Sequence, residues 1–478
     1  MTRRFPALPT ADPWATSSHP GVVRALFLID GEHYPPVVLG AIESLRVSLD
    51  LEPVAAAFLG GTEKLREGTD YGVPLVKAED PVSAVEKALR EHEVELVVDL
   101  SDEPVVGYRE RMRIASLVLA TGVRYRGSDF EFEPPEYHAA STKPSLAVIG
   151  TGKRVGKTAV SGYLARLLSR NGYAPGVVSM GRGGPPEPEV IRGDEMEVGS
   201  DFLLEALTRG AHAASDCYET AALSRVVTVC CRRCGGGLAG APFVSNVLEG
   251  AELANALDTR ITVFDGSGAA APPVAVGGRV LVAGANQNPE YVTGYLGAYR
   301  LLISDLLLLT MSEEPMASME KVRNLVESVR EFRPDLWVVP VVFRPRPVGE
   351  VRGLKVAYLS TAPEVVLETL CRHLEETYRC EVVAASGRLS DRKGLARDLK
   401  EMQGQGVEAY LTEIKAAAVD VVTRRGAEEG KPVFYCDNDP LAIHGHEGTL
   451  DEAFLELAEK AILKFGGRES GPAGSAGV

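Results

Sequence analysis

The chain has 478 residues, 45% of them hydrophobic and 24% charged, which is enough apolar surface for about two to four packed domains and excludes wholesale disorder. Acidic residues outnumber basic ones by 66 to 51, leaving a formal charge of -15. That sign disfavours a nucleic-acid backbone as the main ligand, while a locally basic cleft can still hold a small anion.

Residues 1–19 lack the apolar core of a secretory signal. The longest apolar run, Leu301 to Met311, is too short to span a bilayer and contains Asp305, so a cytoplasmic protein with no membrane contact is expected. Seven cysteines in a chain this large point to reduced thiols. Only seven Asn and three Gln occur, a scarcity of thermolabile amides that points to a hot habitat.

Taken in chain order, the run Val22 to Ile29 reads as a buried strand that ends in the polar loop Asp30-Gly31-Glu32-His33. Val94 to Leu100 repeats the design and ends in Asp99, Asp102 and Glu103. Between them Val82, Val85, Ala88 and Leu89 have helical spacing. Carboxylates past strand ends stand where open α/β sheets take ligands, or they serve only to cap and solvate loops. The proline-bearing connector around Pro134, Pro135 and Ser141 to Pro144 marks a boundary near residue 140. Strand and helix then alternate from Leu146 to about Arg344, and again through Val356–Leu359, Val382–Ala385, Val407–Leu411 and Val433–Tyr435. This predicts an α/β fold with a mostly parallel, doubly wound sheet of the P-loop NTPase type and a smaller N-terminal α/β domain. The expected divisions are 1–140, a nucleotide-binding core at 141–344, an α/β segment at 345–465 that is either separate or part of the core, and a disordered tail at 466–478.

The strongest motif is Gly150-Thr151-Gly152-Lys153-Arg154-Val155-Gly156-Lys157-Thr158, set between a strand and a helix. Val160, Tyr163, Leu164, Leu167 and Leu168 give that helix one apolar face, and Asn171-Gly172 supplies its stop. A helix N-terminus offers free N–H groups and a positive dipole to phosphate. Lys157 would neutralise β and γ oxygens, and Thr158 would offer a hydroxyl to Mg. Five residues rather than four separate Gly150 from Gly156, so the motif departs from the usual spacing. The loop resembles that of dethiobiotin synthetase and the cobyrinate diamide synthases. Asp265, ending the strand Ile261 to Phe264 before Gly266-Ser267-Gly268, matches their metal-binding carboxylate.

Two further strand ends carry arginine with glycine: Arg182-Gly183-Gly184 after Gly176 to Met180, and Arg232-Arg233-Cys234-Gly235-Gly236 after Val226 to Cys230. In a parallel sheet these loops converge, so Arg154, Arg182, Arg232 and Arg233 are expected to share one cleft beside the nucleotide, more cations than ATP alone needs. Arg154, Arg182 and Lys157 are the expected catalytic cations. Arg182, Gly183, Gly184, Arg232, Arg233, Gly235 and Gly236 are expected to bind substrate, and Thr158 and Asp265 the metal. Cys230, Cys231 and Cys234 lack the second ligand pair of a structural zinc site, and Cys436 lacks the glycine-bordered elbow of a glutaminase nucleophile.

These stretches, together with Ile29 to Pro35, Ser179 to Pro185, Tyr410 to Ala417 and Phe434 to Asp439, resemble the archaeal cyclic 2,3-diphosphoglycerate synthetases across most of the chain. The resemblance implies ATP-dependent cyclisation of 2,3-diphosphoglycerate, with Mg required and potassium as an optional activator. A homodimer is the expected assembly, as in related P-loop enzymes. The competing readings are an ATP-dependent ligase of the dethiobiotin or cobyrinate type and an ATPase switch protein.

Overall fold

The computed structural model describes residues 21–61 and 69–469. The signal-peptide reading of residues 1–19 lies outside them. The chain divides into two compact units, one holding the residues up to Glu136 with Asn288–Ile303 and Glu327–Leu336, the other the remainder.

In the first unit, strands β1 (Val23–Ile29), β2 (Leu51–Phe58), β3 (Leu75–Val76), β4 (Leu96–Asp99), β5 (Arg124–Arg126) and β6 (Glu131–Phe132) stand in the order β3-β2-β1-β4-β5-β6. All pair in parallel except β6. Helices α1 (Pro35–Ser48), α2 (Pro81–Glu91) and α3 (Tyr108–Ala120) complete the α/β alternation. Residues 25–29 are wholly buried, which is why the strand reads as an unbroken apolar run. Helix α2 starts where the sequence signals a start: Pro81 is its first residue, and Asp80 accepts from the Ser83 backbone N–H at 3.0 Å. Strand order reverses direction between β1 and β4, and Asp30 and Asp99 stand at that point. Both are taken up by their own loops. Asp30 accepts from the backbone N–H groups of Glu32, His33 and Asp102 and contacts the His33 ring at 2.8 Å. Asp99 accepts from Ser101 and Tyr125 and pairs with Arg111 at 3.1 Å.

The second unit is built on one sheet of 13 strands. Its members are β7 (Ser145–Gly150), β8 (Pro175–Gly181), β9 (Glu189–Arg192), β10 (Val227–Cys234), β11 (Val244–Ser245), β12 (Ile261–Asp265), β13 (Gly278–Gly284), β14 (Leu306–Thr310), β15 (Trp337–Val348), β16 (Lys355–Leu359), β17 (Glu381–Ser386), β18 (Ala409–Thr412) and β19 (Val433–Ala442). From β10 to β15 the order is β10-β8-β12-β7-β13-β14-β15, all parallel, with β9 and β11 added antiparallel to β10. A second parallel block, β19-β18-β16-β17, joins through β15 and β19, which pair antiparallel. The 12-residue β15 makes this junction possible. Residues 337–340 pair with β14, and the stretch from Val341 to Val348 pairs with β19. Because the second block is offset along β15 and runs the other way, the carboxyl edges of the two blocks point toward each other.

The helix α4 (Lys157–Arg170) follows β7 and buries Val160, Leu164, Leu167 and Leu168 in the central core with β7, β12, β13 and β14, each such side chain contributing about 1.5–3 kcal/mol. It stops at Asn171, followed by left-handed Gly172, as its sequence indicates. After α5 (Ser200–Thr208) comes α6 (Asp216–Ser224), whose face packs on α4, β8 and β10. The last helix, Thr449–Glu469, runs through Gly466 and Gly467, so the expected disordered tail does not begin at 466; residues 470–478 lie outside the described ones. Among the described residues no helix is long and apolar enough to cross a membrane, and Leu306–Thr310 of the apolar run forms the buried strand β14.

Candidate active site

The loop from Gly150 to Thr158 passes from the end of β7 to the start of α4. Gly156 sits at the helix start with φ 93°, and a Cβ there would lie 2.2 Å from the Phe343 ring. Both the backbone turn and the close approach demand glycine. Gly150 ends β7 where the stem of Lys157 crosses it, and the Lys157 ammonium donates to the Gly152 carbonyl at 2.8 Å. Thr151 donates to the Gln287 side chain at 2.6 Å, and the same oxygen accepts from the Gly284 N–H, so Gln287 braces the loop from the end of β13. Lys153 and Arg154 are exposed on the loop, and Val155 is buried under it.

Lys157, at the start of α4 after β7, and Asp265, at the end of the adjacent strand β12, are both buried. Burial, then repulsion from Asp216, drives the Asp265 carboxyl upward, and Lys157 opposes that shift. Burial likewise pulls the Lys157 ammonium down, with Arg182 and Arg233 adding repulsion and Asp265 and Asp216 working against it. The Oδ1 atom of Asp265 is buried without a hydrogen-bond partner. The hydroxyl of Thr158 donates to Asp216 Oδ1 at 3.3 Å, adding a carboxylate from the first turn of α6 that the motif did not reveal. The available signal was a pair of acids at 216 and 219, spaced to share one helix face.

Arg182 and Arg233 meet over the turn that follows Asp265. A Cβ on Gly268, φ +62°, would lie 2.4 Å from an Arg182 guanidinium nitrogen and 3.0 Å from one of Arg233. Arg233 donates to the carbonyls of Gly235 and Ser267 at 2.6 Å each, while its Nε is buried without a partner. Burial, then the neighbouring Arg182, lowers the Arg233 pKa. Two guanidinium groups held this close repel each other, an arrangement that an anion stabilises.

Arg232 does not join them. The sequence reads it in a loop after Cys230, but β10 continues to Cys234 because β11 pairs with Arg233 and Cys234. Side chains alternate along a strand, so Arg232 projects from the face opposite Arg233, and it is exposed. Its backbone N–H donates to Asn246 at 2.7 Å. Gly183 and Gly184 turn the chain after β8 against His212 and the Cys231 carbonyl, and Gly235 and Gly236 do so beneath Phe243 and Arg233.

The expectation of reduced thiols is corrected at one place. Cys217 on α6 and Cys230 on β10 form a disulfide, since helix and strand pack face to face there with Cα atoms 5.4 Å apart. Cys231 is buried and Cys234 exposed. Among the described residues no three His, Cys, Asp or Glu side chains cluster as a metal cage.

A phosphate loop with a buried carboxylate at the next strand end defines a P-loop nucleotide-binding protein, and the arginine pair beside it suits a second anion. Comparison with known proteins narrows this class. Three family models match in succession: the N-terminal domain of cyclic 2,3-diphosphoglycerate synthetase over residues 24–133, its P-loop domain over 145–342 and its C-terminal domain over 347–439. A cyclic 2,3-diphosphoglycerate synthetase of Rubrobacter xylanophilus is 73% identical over 92% of this chain and 98% of its own length. Proteins of the same name from Methanothermus fervidus and Methanothermobacter thermautotrophicus are 46% and 45% identical, over 92% and 93% of this chain and 98% and 97% of theirs. The chain belongs to the cyclic 2,3-diphosphoglycerate synthetase family.

Proposed function

We propose that the protein uses ATP to close 2,3-diphosphoglycerate into its cyclic pyrophosphate, releasing ADP and inorganic phosphate. The observation that carries this reading is the convergence of Arg182 and Arg233 on the turn after Asp265, within electrostatic reach of Lys157. The substrate is a small polyanion with about four to five negative charges near neutrality. Bringing two phosphoryl groups of about -1.75 charge to some 5 Å costs on the order of 10 kcal/mol at an effective dielectric of 20. Fixed guanidinium groups lower that cost, and holding both ends of one molecule in reach can contribute roughly 7–11 kcal/mol as avoided entropy loss.

In the first step the γ-phosphorus of ATP bonds to an oxygen of one substrate phosphate while its bond to the ADP oxygen breaks. Lys157 and the loop N–H groups hold the β and γ oxygens through this transfer. An oxygen of the second substrate phosphate then attacks the activated phosphorus, and the bond to the added phosphoryl group breaks. Inorganic phosphate leaves with the proton that a substrate phosphate, titrating near pH 6, brings with it. Arg182 and Arg233 hold the phosphates in attacking distance. Thr158, Asp265 and Asp216 fit a Mg ion, because Asp265 has a buried oxygen without a partner and the other two oxygens adjoin the phosphate end of the loop. When bound, that ion would neutralise the β and γ phosphoryl oxygens.

The test is phosphorus NMR of the protein with ATP, Mg and 2,3-diphosphoglycerate. An upfield pyrophosphate pair that requires both reactants is expected. ATP consumption without that pair would remove this substrate.

A further inference from the structure

Two stretches singled out in the sequence, Tyr410 to Ala417 and Phe434 to Asp439, are not used by the nucleotide loop, yet they converge beside it. Their meeting follows from the facing carboxyl edges of the two parallel blocks. Glu413, just past β18, is buried and saturated: it accepts from Ser360 at 2.8 Å, from the Thr361 hydroxyl at 2.7 Å and N–H at 3.3 Å, and from Asn438 at 3.0 Å. Asp437 and Asp439 are likewise taken, each paired with both Arg166 of α4 and Arg346 of β15. Two residues beyond Glu413, Lys415 is held differently. Its ammonium lies 3.1 Å from Glu219, which is buried on α6, but the lysine side chain keeps 30% of its surface exposed. The second oxygen of Glu219 is buried without a hydrogen-bond partner. Glu219 shares the first turn of α6 with Asp216, the residue that accepts from Thr158.

We infer that Lys415 binds substrate, donating to a phosphate of 2,3-diphosphoglycerate from the C-terminal segment while Arg182 and Arg233 hold the molecule from the turns around β12. This rests on the cyclisation reading. Three cations from three separate strand ends suit a ligand with three anionic groups better than two do. Glu219 acts as a positioning residue: it anchors the ammonium while part of the lysine side chain stays exposed.

The test compares Glu219→Gln with the double variant Glu219→Gln/Lys415→Met, so that no buried carboxylate is left without its cation. The amide oxygen introduced by Glu219→Gln still accepts from Lys415, so the single variant should raise the KM for 2,3-diphosphoglycerate by no more than about threefold. The double variant should raise it by about tenfold or more, with ATP-analogue affinity within about twofold of wild type. Adding Lys415→Arg to a wild-type background should retain most of the substrate affinity. Equal KM in the single and double variants, or an equal loss of nucleotide affinity, overturns the assignment of Lys415. Absence of 2,3-diphosphoglycerate turnover by the wild type overturns the cyclisation reading beneath it.

Discussion

Both units present carboxylates at or just beyond the carboxyl ends of parallel strands, and Asp30 and Asp99 in one are used in the opposite way to Asp265 in the other. In the N-terminal unit Asp30 and Asp99 are taken up by hydrogen bonds from their own loops, and Asp99 also pairs with Arg111. In the larger unit Asp265, Glu219 and Arg233 each keep a buried polar atom without a partner. A buried group left unpaired costs about 1–3 kcal/mol, more if charged, so such a set persists where a ligand completes it. The same sequence signal, an acid at a strand end, therefore means loop closure at Asp30 and Asp99 and a reaction site at Asp265. Position at a strand end does not separate the two; a buried carboxylate oxygen without a partner, as on Asp265, does.

The comparison can be broken most sharply at Lys157. Lys157→Ala should lower kcat/KM by about a thousandfold or more, because it removes the cation that meets charge developing on the transferred phosphoryl group. Turnover near wild type would move the nucleotide away from this loop. Arg233→Ala should raise the KM for 2,3-diphosphoglycerate by about 10- to 100-fold, whereas Arg232→Ala should stay within about threefold. Similar losses in both would mean that strand alternation does not govern which arginine reaches substrate. On the other edge, Asp30→Ala should lower the melting temperature by several degrees, as the contacts to one buried carboxyl are lost, and leave kcat within about twofold. A large fall in kcat would make the N-terminal strand edge part of the reaction.

The smallest expected effect is a pH dependence of stability. Burial pushes Glu219 up to about 8, with Lys415 pulling it back and Asp216, Asp437 and Glu413 adding repulsion. A carboxyl whose folded pKa lies above its unfolded one holds more protons in the folded state, so its contribution to stability falls as pH rises from about 4.5 to about 8. Glu219→Gln should therefore gain melting temperature relative to wild type between pH 5 and pH 8, by about two or three degrees. Parallel pH profiles would show that Glu219 does not titrate in that window.

Much of this was legible in the chain. The strand Val356–Leu359 was read to within one residue of its observed bounds, and the apolar spacing from Val160 to Leu168 named the buried face of α4. Periodicity carries such elements because each residue's burial follows from its place on one helix or strand. The pairing of Arg182 with Arg233 was half legible: both follow strands of one sheet, but the extension of β10 through Cys234 depends on β11, two residues that no local pattern distinguishes. Asp216 and Lys415 stayed hidden because each meets its partner by tertiary contact across more than fifty residues of sequence.

The chemistry at the phosphate loop is a local matter: glycines that permit the turn, a lysine and a threonine at a helix start, and a strand before them determine an anion site wherever that segment folds. Which other charges face that site is not local. A 12-residue strand that serves two parallel blocks, one on each part of its length, turns their carboxyl edges toward each other. Side-chain alternation then decides which arginine looks inward. Those outcomes depend on register and on how far a sheet extends, and both are set by packing among segments distant in the chain.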